Sequence, residues 1–162
     1  GSRRLPGMRT LRVNVTEDSH RRVPMVPSHL PIDQASLRYL PPSSANFRPH
    51  TDEDGLSVYR RAGLESIGLG AEDVARAGKG PAVVAGLQDV HLLAQGLEIA
   101  DDPMPVPPDV SPAHALVTGW HSMTDGESRR VARALAKLAT CVYPDSDWHV
   151  AASLVKARAE QA

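Results

Sequence analysis

The chain has 162 residues and a formal net charge of -1, with 18 Lys and Arg against 19 Asp and Glu. This length is typical of one domain with its own core, and the balanced charge excludes a global attraction to nucleic acid or to anionic lipid. The single cysteine, Cys141, excludes an intrachain disulfide and a four-thiolate metal site.

The sequence also predicts a cytoplasmic protein with no membrane partner. No stretch approaches the roughly 18 consecutive apolar residues that a membrane helix needs, and the first residues lack the apolar run of a secretory signal. Gly1 and Ser2 are typical of a remnant left by a removed purification tag. We therefore interpret residues 1–10 as a tag remnant or a disordered start.

The first predicted element is a strand at residues 11–15, where apolar and polar residues alternate. Residues 19–49 then form a predicted irregular arm, because proline removes a backbone donor and disfavours helix before it. The scattered apolar residues of this arm indicate that it packs against the body of the protein or against a partner, and a disordered arm is the alternative. Its six prolines are Pro24, Pro27, Pro31, Pro41, Pro42 and Pro49.

The middle of the chain predicts short alternating elements. Residues 56–60 read as a strand with Ser57 and Tyr59 on one face, and residues 71–77 read as a helix that ends at Gly78. Residues 82–85 are either a buried strand or the entry to the next helix. A helix near residues 87–94, a left-handed Gly96 and a strand at residues 97–99 follow.

The last third begins with a proline-rich stretch, residues 103–112, which predicts an extended path. A buried strand is expected at residues 113–118. Thr124 and Glu127 match a helix capping box, and the helix that they open is predicted to run from 125 to about 142. A final helix or fraying tail is expected from about residue 150.

Together these elements predict an α+β protein with a small mixed sheet, three to four helices and long proline-rich connections. We expect residues 11–150 to form a single domain and residues 151–162 to form a C-terminal helix or tail.

Two blocks of the sequence resemble small bacterial cytosolic proteins that have no known activity. The first covers residues 47–58 and contains Phe-Arg-Pro and Leu-Ser-Val. The second covers residues 96–103 and continues at 112–117 with Pro-Ala-His-Ala. The resemblance implies a bacterial cytosolic origin and brings no activity, cofactor or site residue with it.

The densest polar cluster predicts a possible metal site. On an extended segment, alternation places His50, Asp52 and Asp54 on one side, where they could bind a hard or borderline divalent cation. The alternative is ordinary turn chemistry, since Asp residues before a glycine commonly bond to their own backbone. Apart from this cluster, no pattern in the sequence indicates a cofactor, and the cofactor stays unknown at this point.

Catalysis is the second hypothesis for the histidines. His50 and His114 are the candidate catalytic residues, and a histidine that acts as a base needs an orienting partner. Asp101 and Asp102, or the acids beside His50, could orient His114. The alternative is that His114 is a hydrogen-bonded core residue. Cys141 with Asp145 and His149 is not favoured as a nucleophile site, because Pro144 separates them and a helix C-terminus raises a thiol pKa.

The sequence leaves two classes of function open, and whether the protein is an enzyme stays undecided. The first is a non-catalytic module that docks a partner protein through its proline-rich segments. The second is a small metal-assisted hydrolase or transferase that uses His50, Asp52, Asp54 and His114. A third, nucleic-acid binding through a basic helix face, is not favoured by the net charge. The candidate partner-binding residues are Met104, Val106, Arg129, Arg133 and Lys137.

Overall fold

The structure is a computed structural model that describes residues 9–10, 17–50, 53–104 and 109–161, with backbone alone for residues 9–10. The predicted strand at 11–15, Asp52 of the proposed metal cluster and Val106 of the proposed docking surface lie outside the described residues.

The described residues form one sheet of seven strands in the order β1-β5-β6-β3-β2-β4-β7. All pairings between neighbouring strands are antiparallel, so the predicted α+β class is confirmed and the predicted mixed sheet is wrong. The strands are β1 Arg9–Thr10, β2 Asp18–Pro24, β3 Leu56–Arg60, β4 Ala82–Gln88, β5 Glu98–Asp101, β6 His114–Thr118 and β7 Thr140–Tyr143.

Five α-helices accompany the sheet within the described ranges, one more than the upper limit predicted from sequence. They are α1 Arg61–Ser66, α2 Ala71–Ala75, α3 Asp89–Ala94, α4 Asp125–Leu138 and α5 Trp148–Gln161. The extra helix is α1, a turn and a half long, which follows β3 without any intervening loop. So short a segment has no resolvable periodicity of its own.

Helix α4 begins as the capping signal predicts and ends earlier. The Thr124 hydroxyl accepts a hydrogen bond from the backbone N–H of Glu127 and also meets the Glu127 carboxylate, both at 3.1 Å. The helix was expected to reach about residue 142, but it stops at Leu138 and the chain becomes strand β7. The β-branched Thr140 and Val142 favour the strand, which pairs with β4.

The expectation of an irregular arm from residue 19 is wrong at its start, where the chain forms strand β2. The charged side chains of this strand bond to backbone carbonyls elsewhere in the chain: Arg22 donates hydrogen bonds to those of Ala75 and Gly80. Pro24 stands at the end of this strand, opposite Ala82, where a missing donor is least costly.

Beyond Pro24, the arm packs against the face of the sheet that carries the main hydrophobic core, called the first face below. Leu30 and Phe47 are buried in the main core, and the Asn46 amide donates to the carbonyls of His29 and Ser43 at 2.7 and 3.0 Å. Arg21 joins this arm to the sheet, since its guanidinium donates to the carbonyl of Asn46 and, at 2.7 Å, to that of Ser57.

The two faces of the sheet are covered unequally. The first face packs against α4, α5 and the arm to form the main core. A smaller cluster on the second face joins α1 and α2 to the sheet through Leu64, Val74 and Val84. The helices of this smaller cluster leave strands β5, β6 and β3 open on the second face, and a cavity lies there.

A buried polar cluster lies where β2, β3 and α3 meet. Arg60 and Asp89 form a bidentate ion pair with distances of 2.6 and 2.8 Å, and Arg60 also donates to the Ser19 hydroxyl at 3.0 Å. Nearby His20 is buried, and burial lowers its pKa to about 4, with Arg61 acting in the same direction.

Among the described residues, none of the helices combines the length and the apolar character needed to span a bilayer.

Candidate active site

A cavity with a volume of about 860 Å³ lies over strands β3, β6 and β5 on the open part of the second face. It is wide enough for a ligand of substrate size. Backbone and side chains from both ends of these strands line it. The lining residues are Glu53, Asp54, Gly55, Ser57, Glu98, Asp102, Met104, His114, Leu116, Thr118 and Gly119.

Ser57 and His114 meet on the floor of this cavity. Tyr59 of β3 pairs with His114 of β6, so Ser57, two residues earlier, is the diagonal neighbour of His114 on the same face. The Ser57 hydroxyl oxygen lies 3.1 Å from Nε2 of His114. A hydroxyl at this distance can donate its hydrogen to the imidazole, which is the first requirement for an activated serine.

Asp102 fixes the tautomer of His114. Nδ1 of His114 lies 2.9 Å from the Asp102 backbone carbonyl and 3.3 Å from its carboxylate oxygen Oδ2. Both oxygens can only accept a hydrogen bond, so Nδ1 carries the proton of the neutral ring. The lone pair on Nε2 is then presented to Ser57, and the hydroxyl is the donor.

The local fold holds these groups in place. Asp102 directly follows β5, and its backbone N–H donates to the carbonyl of His114 at 3.0 Å, which extends the ladder between β5 and β6. Only 5% of His114 is exposed to solvent. The ring of Tyr59 meets the imidazole edge to face, with centroids 5.5 Å apart. The imidazole is thus restricted to one orientation.

The structure separates the two predicted catalytic histidines. His114 lies in the large cavity with Asp102, one of the partners considered for it. His50 lines two smaller cavities, of about 230 and 580 Å³, and is not among the residues lining the large one. Nothing in the described geometry brings His50 and His114 to one centre.

The predicted metal cluster is only partly described. Asp54 lines the large cavity, and its carboxylate accepts a hydrogen bond from the backbone N–H of His121 at 3.0 Å, while His50 faces other cavities. Within the described ranges, no three His, Cys, Asp or Glu residues are grouped so that they could hold a metal ion.

The predicted partner-binding residues lie in two separate places. Met104 is 42% exposed and lines the large cavity, next to the site rather than on a docking surface of its own. Arg129, Arg133 and Lys137 are all exposed on α4. Arg129 is paired with Asp125 one turn earlier, at 3.0 Å, which reduces the free positive charge of this row.

Cys141 lies on strand β7 and not in the last turn of a helix, so the helix-dipole argument does not apply to it. Burial raises the pKa of its thiol to about 11. His149, on α5, accepts a hydrogen bond from the backbone N–H of Tyr39 at 3.0 Å. The surroundings of Cys141 and of His149 therefore do not favour a thiol nucleophile paired with a histidine base.

Ser57 is the site residue that the sequence analysis missed. The alternation of β3 places it on the correct face, with Tyr59, but its importance depends on the register between β3 and β6. Register between strands distant in sequence cannot be read from a single chain.

No protein-family model, curated protein or solved structure matches this chain.

Proposed function

We propose that the protein is a serine hydrolase that cleaves an ester or a related acyl compound at the Ser57–His114 dyad. The observation that carries this proposal is the chain of contacts from the Ser57 hydroxyl to Nε2 of His114 and from Nδ1 to Asp102, located in a cavity of about 860 Å³. Nucleophile, base and orienting group stand in the order that this chemistry requires.

With its proton on Nδ1, His114 can act as a general base through Nε2 in a two-step ester hydrolysis. The Ser57 oxygen attacks the substrate carbonyl carbon as its proton passes to Nε2 of His114. The tetrahedral intermediate expels the alcohol, which takes that proton and leaves an acyl group on Ser57. A water molecule then gives a proton to Nε2 and attacks the acyl carbon, and collapse returns the proton to Ser57 as the acid leaves.

Covalent labelling tests the proposal directly. A fluorophosphonate probe should modify the peptide that contains Ser57, because only an activated serine reacts with such a probe at an appreciable rate. The Ser57→Ala variant should lose the modification as measured by mass spectrometry of the digested protein. Ser66→Ala is the matched control, since Ser66 bonds to the Gly63 carbonyl and should not affect labelling. An unmodified Ser57 peptide would contradict the proposal.

A second candidate function, docking of a partner protein, is favoured by the apolar surface of the arm. We infer it from a tight loop closed by the bridge between Ile32 and Tyr39, with Leu37 70% exposed near its tip. Leu37 has φ of 58°, a left-handed conformation that costs a leucine about 1 kcal/mol. The Asp33 carboxylate stabilises the loop by accepting from the Ser36 hydroxyl at 2.6 Å.

Substituting Leu37 tests the docking function without disturbing the loop. Asparagine tolerates the left-handed conformation better than leucine, so Leu37→Asn should fold at least as stably as the parent while removing the exposed apolar group. Immobilised protein should retain a partner from a lysate of the native host, and the variant should lose it. Leu154→Asn, at an exposed leucine on α5, is the control. Equal retention by the parent and Leu37→Asn would exclude this surface.

A further inference from the structure

The cavity that holds the dyad is negatively charged. No Lys or Arg belongs to its lining in the described part of the chain. Four carboxylates do, and these are Glu53, Asp54, Glu98 and Asp102. A concave site lined by charges of one sign concentrates counter-charged ligands and repels ligands of the same sign.

These carboxylates differ in what they are bonded to. Asp102 orients His114, and Asp54 accepts the backbone N–H of His121. Glu53 and Glu98 are exposed, and neither carboxylate forms a hydrogen bond or an ion pair with another described residue. Glu53 is close enough to the Arg21 guanidinium to interact with it electrostatically, so Glu98 is the more available of the two to a ligand.

The same charges bear on the proposed hydrolysis. Attack by Ser57 places negative charge on the substrate carbonyl oxygen, and this charge must be offset for the reaction to be fast. The lining carboxylates would oppose the developing charge on a neutral or anionic substrate. A positive group on the substrate would offset it, and that group would also be attracted by Glu53 and Glu98.

Resting on the proposed hydrolase function, we propose that the substrate is an acyl compound with a cationic side chain, a primary ammonium or a guanidinium. Glu98 and Glu53 bind the cation. Leu116 and Met104, which also line the cavity, contact the aliphatic stem that joins the cation to the reacting carbonyl. The carboxylates of the cavity therefore select the charge of the substrate, and the apolar residues select the length of its aliphatic stem.

Equilibrium binding separates this inference from catalysis. The probes are Nα-acetyl-lysinamide and its uncharged counterpart Nα-acetyl-norleucinamide, measured by calorimetry on the Ser57→Ala variant, which binds without turnover. The lysine compound should bind at least about 10-fold more tightly, as expected for a site lined by one sign of charge. The difference should shrink when Glu98→Gln is added. Glu160→Gln, a matched change at an exposed residue outside the cavity, should leave it unchanged.

Hydrolysis of the corresponding p-nitrophenyl esters provides the second measurement. A higher kcat/KM for the lysine ester than for the norleucine ester, diminishing with added salt, is expected. Equal binding of the two amides would overturn the cationic substrate whatever the esters show. Tight binding of the lysine amide without Ser57-dependent turnover of either ester would overturn the hydrolase and leave a binding site for cations.

Discussion

Replacing His114 with alanine should lower kcat/KM for p-nitrophenyl acetate by about 10²- to 10⁴-fold, the usual contribution of a positioned general base. The reason is that Nε2 is the group within 3.1 Å of the Ser57 hydroxyl that can take its proton. Initial rates of p-nitrophenol release measure the effect. The ester p-nitrophenyl acetate carries no charge, and parent and variant have the same lining carboxylates, so the ratio of their rates reports on His114.

Three further measurements separate loss of the base from loss of structure. His114→Gln keeps a polar side chain of similar reach in a buried position and should lose activity equally, because an amide is not a base. His50→Ala removes the histidine that lines the other cavities and should leave the rate close to that of the parent. Added imidazole should restore part of the activity of His114→Ala. A His114→Ala variant that is folded and fully active would refute the dyad.

Replacing Asp89 with alanine should reduce the free energy of unfolding by about 3–5 kcal/mol, the usual cost of leaving one partner of a buried ion pair alone. The Arg60 and Asp89 side chains are only 9% and 1% exposed, and two hydrogen bonds join them. Without Asp89, the guanidinium would keep a hydrogen bond to the Ser19 hydroxyl and a weaker electrostatic interaction with Asp18 among the described residues. Urea denaturation followed by circular dichroism measures the change.

An exposed pair gives the matched control. Glu72 on α2 and Arg76, the residue that follows this helix, are 50% and 71% exposed, so Glu72→Ala should cost less than about 1 kcal/mol. The double variant Arg60→Met with Asp89→Leu should recover much of the lost stability, since an apolar pair of similar volume needs no desolvation of charge. A loss below about 1 kcal/mol in Asp89→Ala would show that water reaches the buried guanidinium and that the ion pair contributes little.

The elements that local sequence determines were predicted well. Strand β3 follows from alternation, and the start of α4 follows from the Thr124 and Glu127 pair. Gly96 adopts the left-handed conformation, with φ of 81°, that was expected after α3. These features depend on residues within one or two turns of each other, which is why a single sequence reveals them.

The elements that depend on distant partners were not predicted. Strand β2 begins the stretch whose six prolines predicted an irregular arm, and the partners of its Arg21 and Arg22, carbonyls far along the chain, cannot be read from the sequence. Strand β7 was assigned to the end of α4 because its pairing with β4 is not visible in sequence. The dyad fails to appear for the same reason, since 57 positions separate Ser57 from His114.

The guanidinium of Arg21 has a consequence for how the two proposed functions relate. Partial burial lowers its pKa to about 10, and its planar guanidinium holds the main chain of the arm at Asn46 and that of β3 at Ser57. A protein that gripped the arm and displaced Asn46 would pull on the anchor beneath Ser57. Partner capture and turnover would then be mechanically linked through a single arginine.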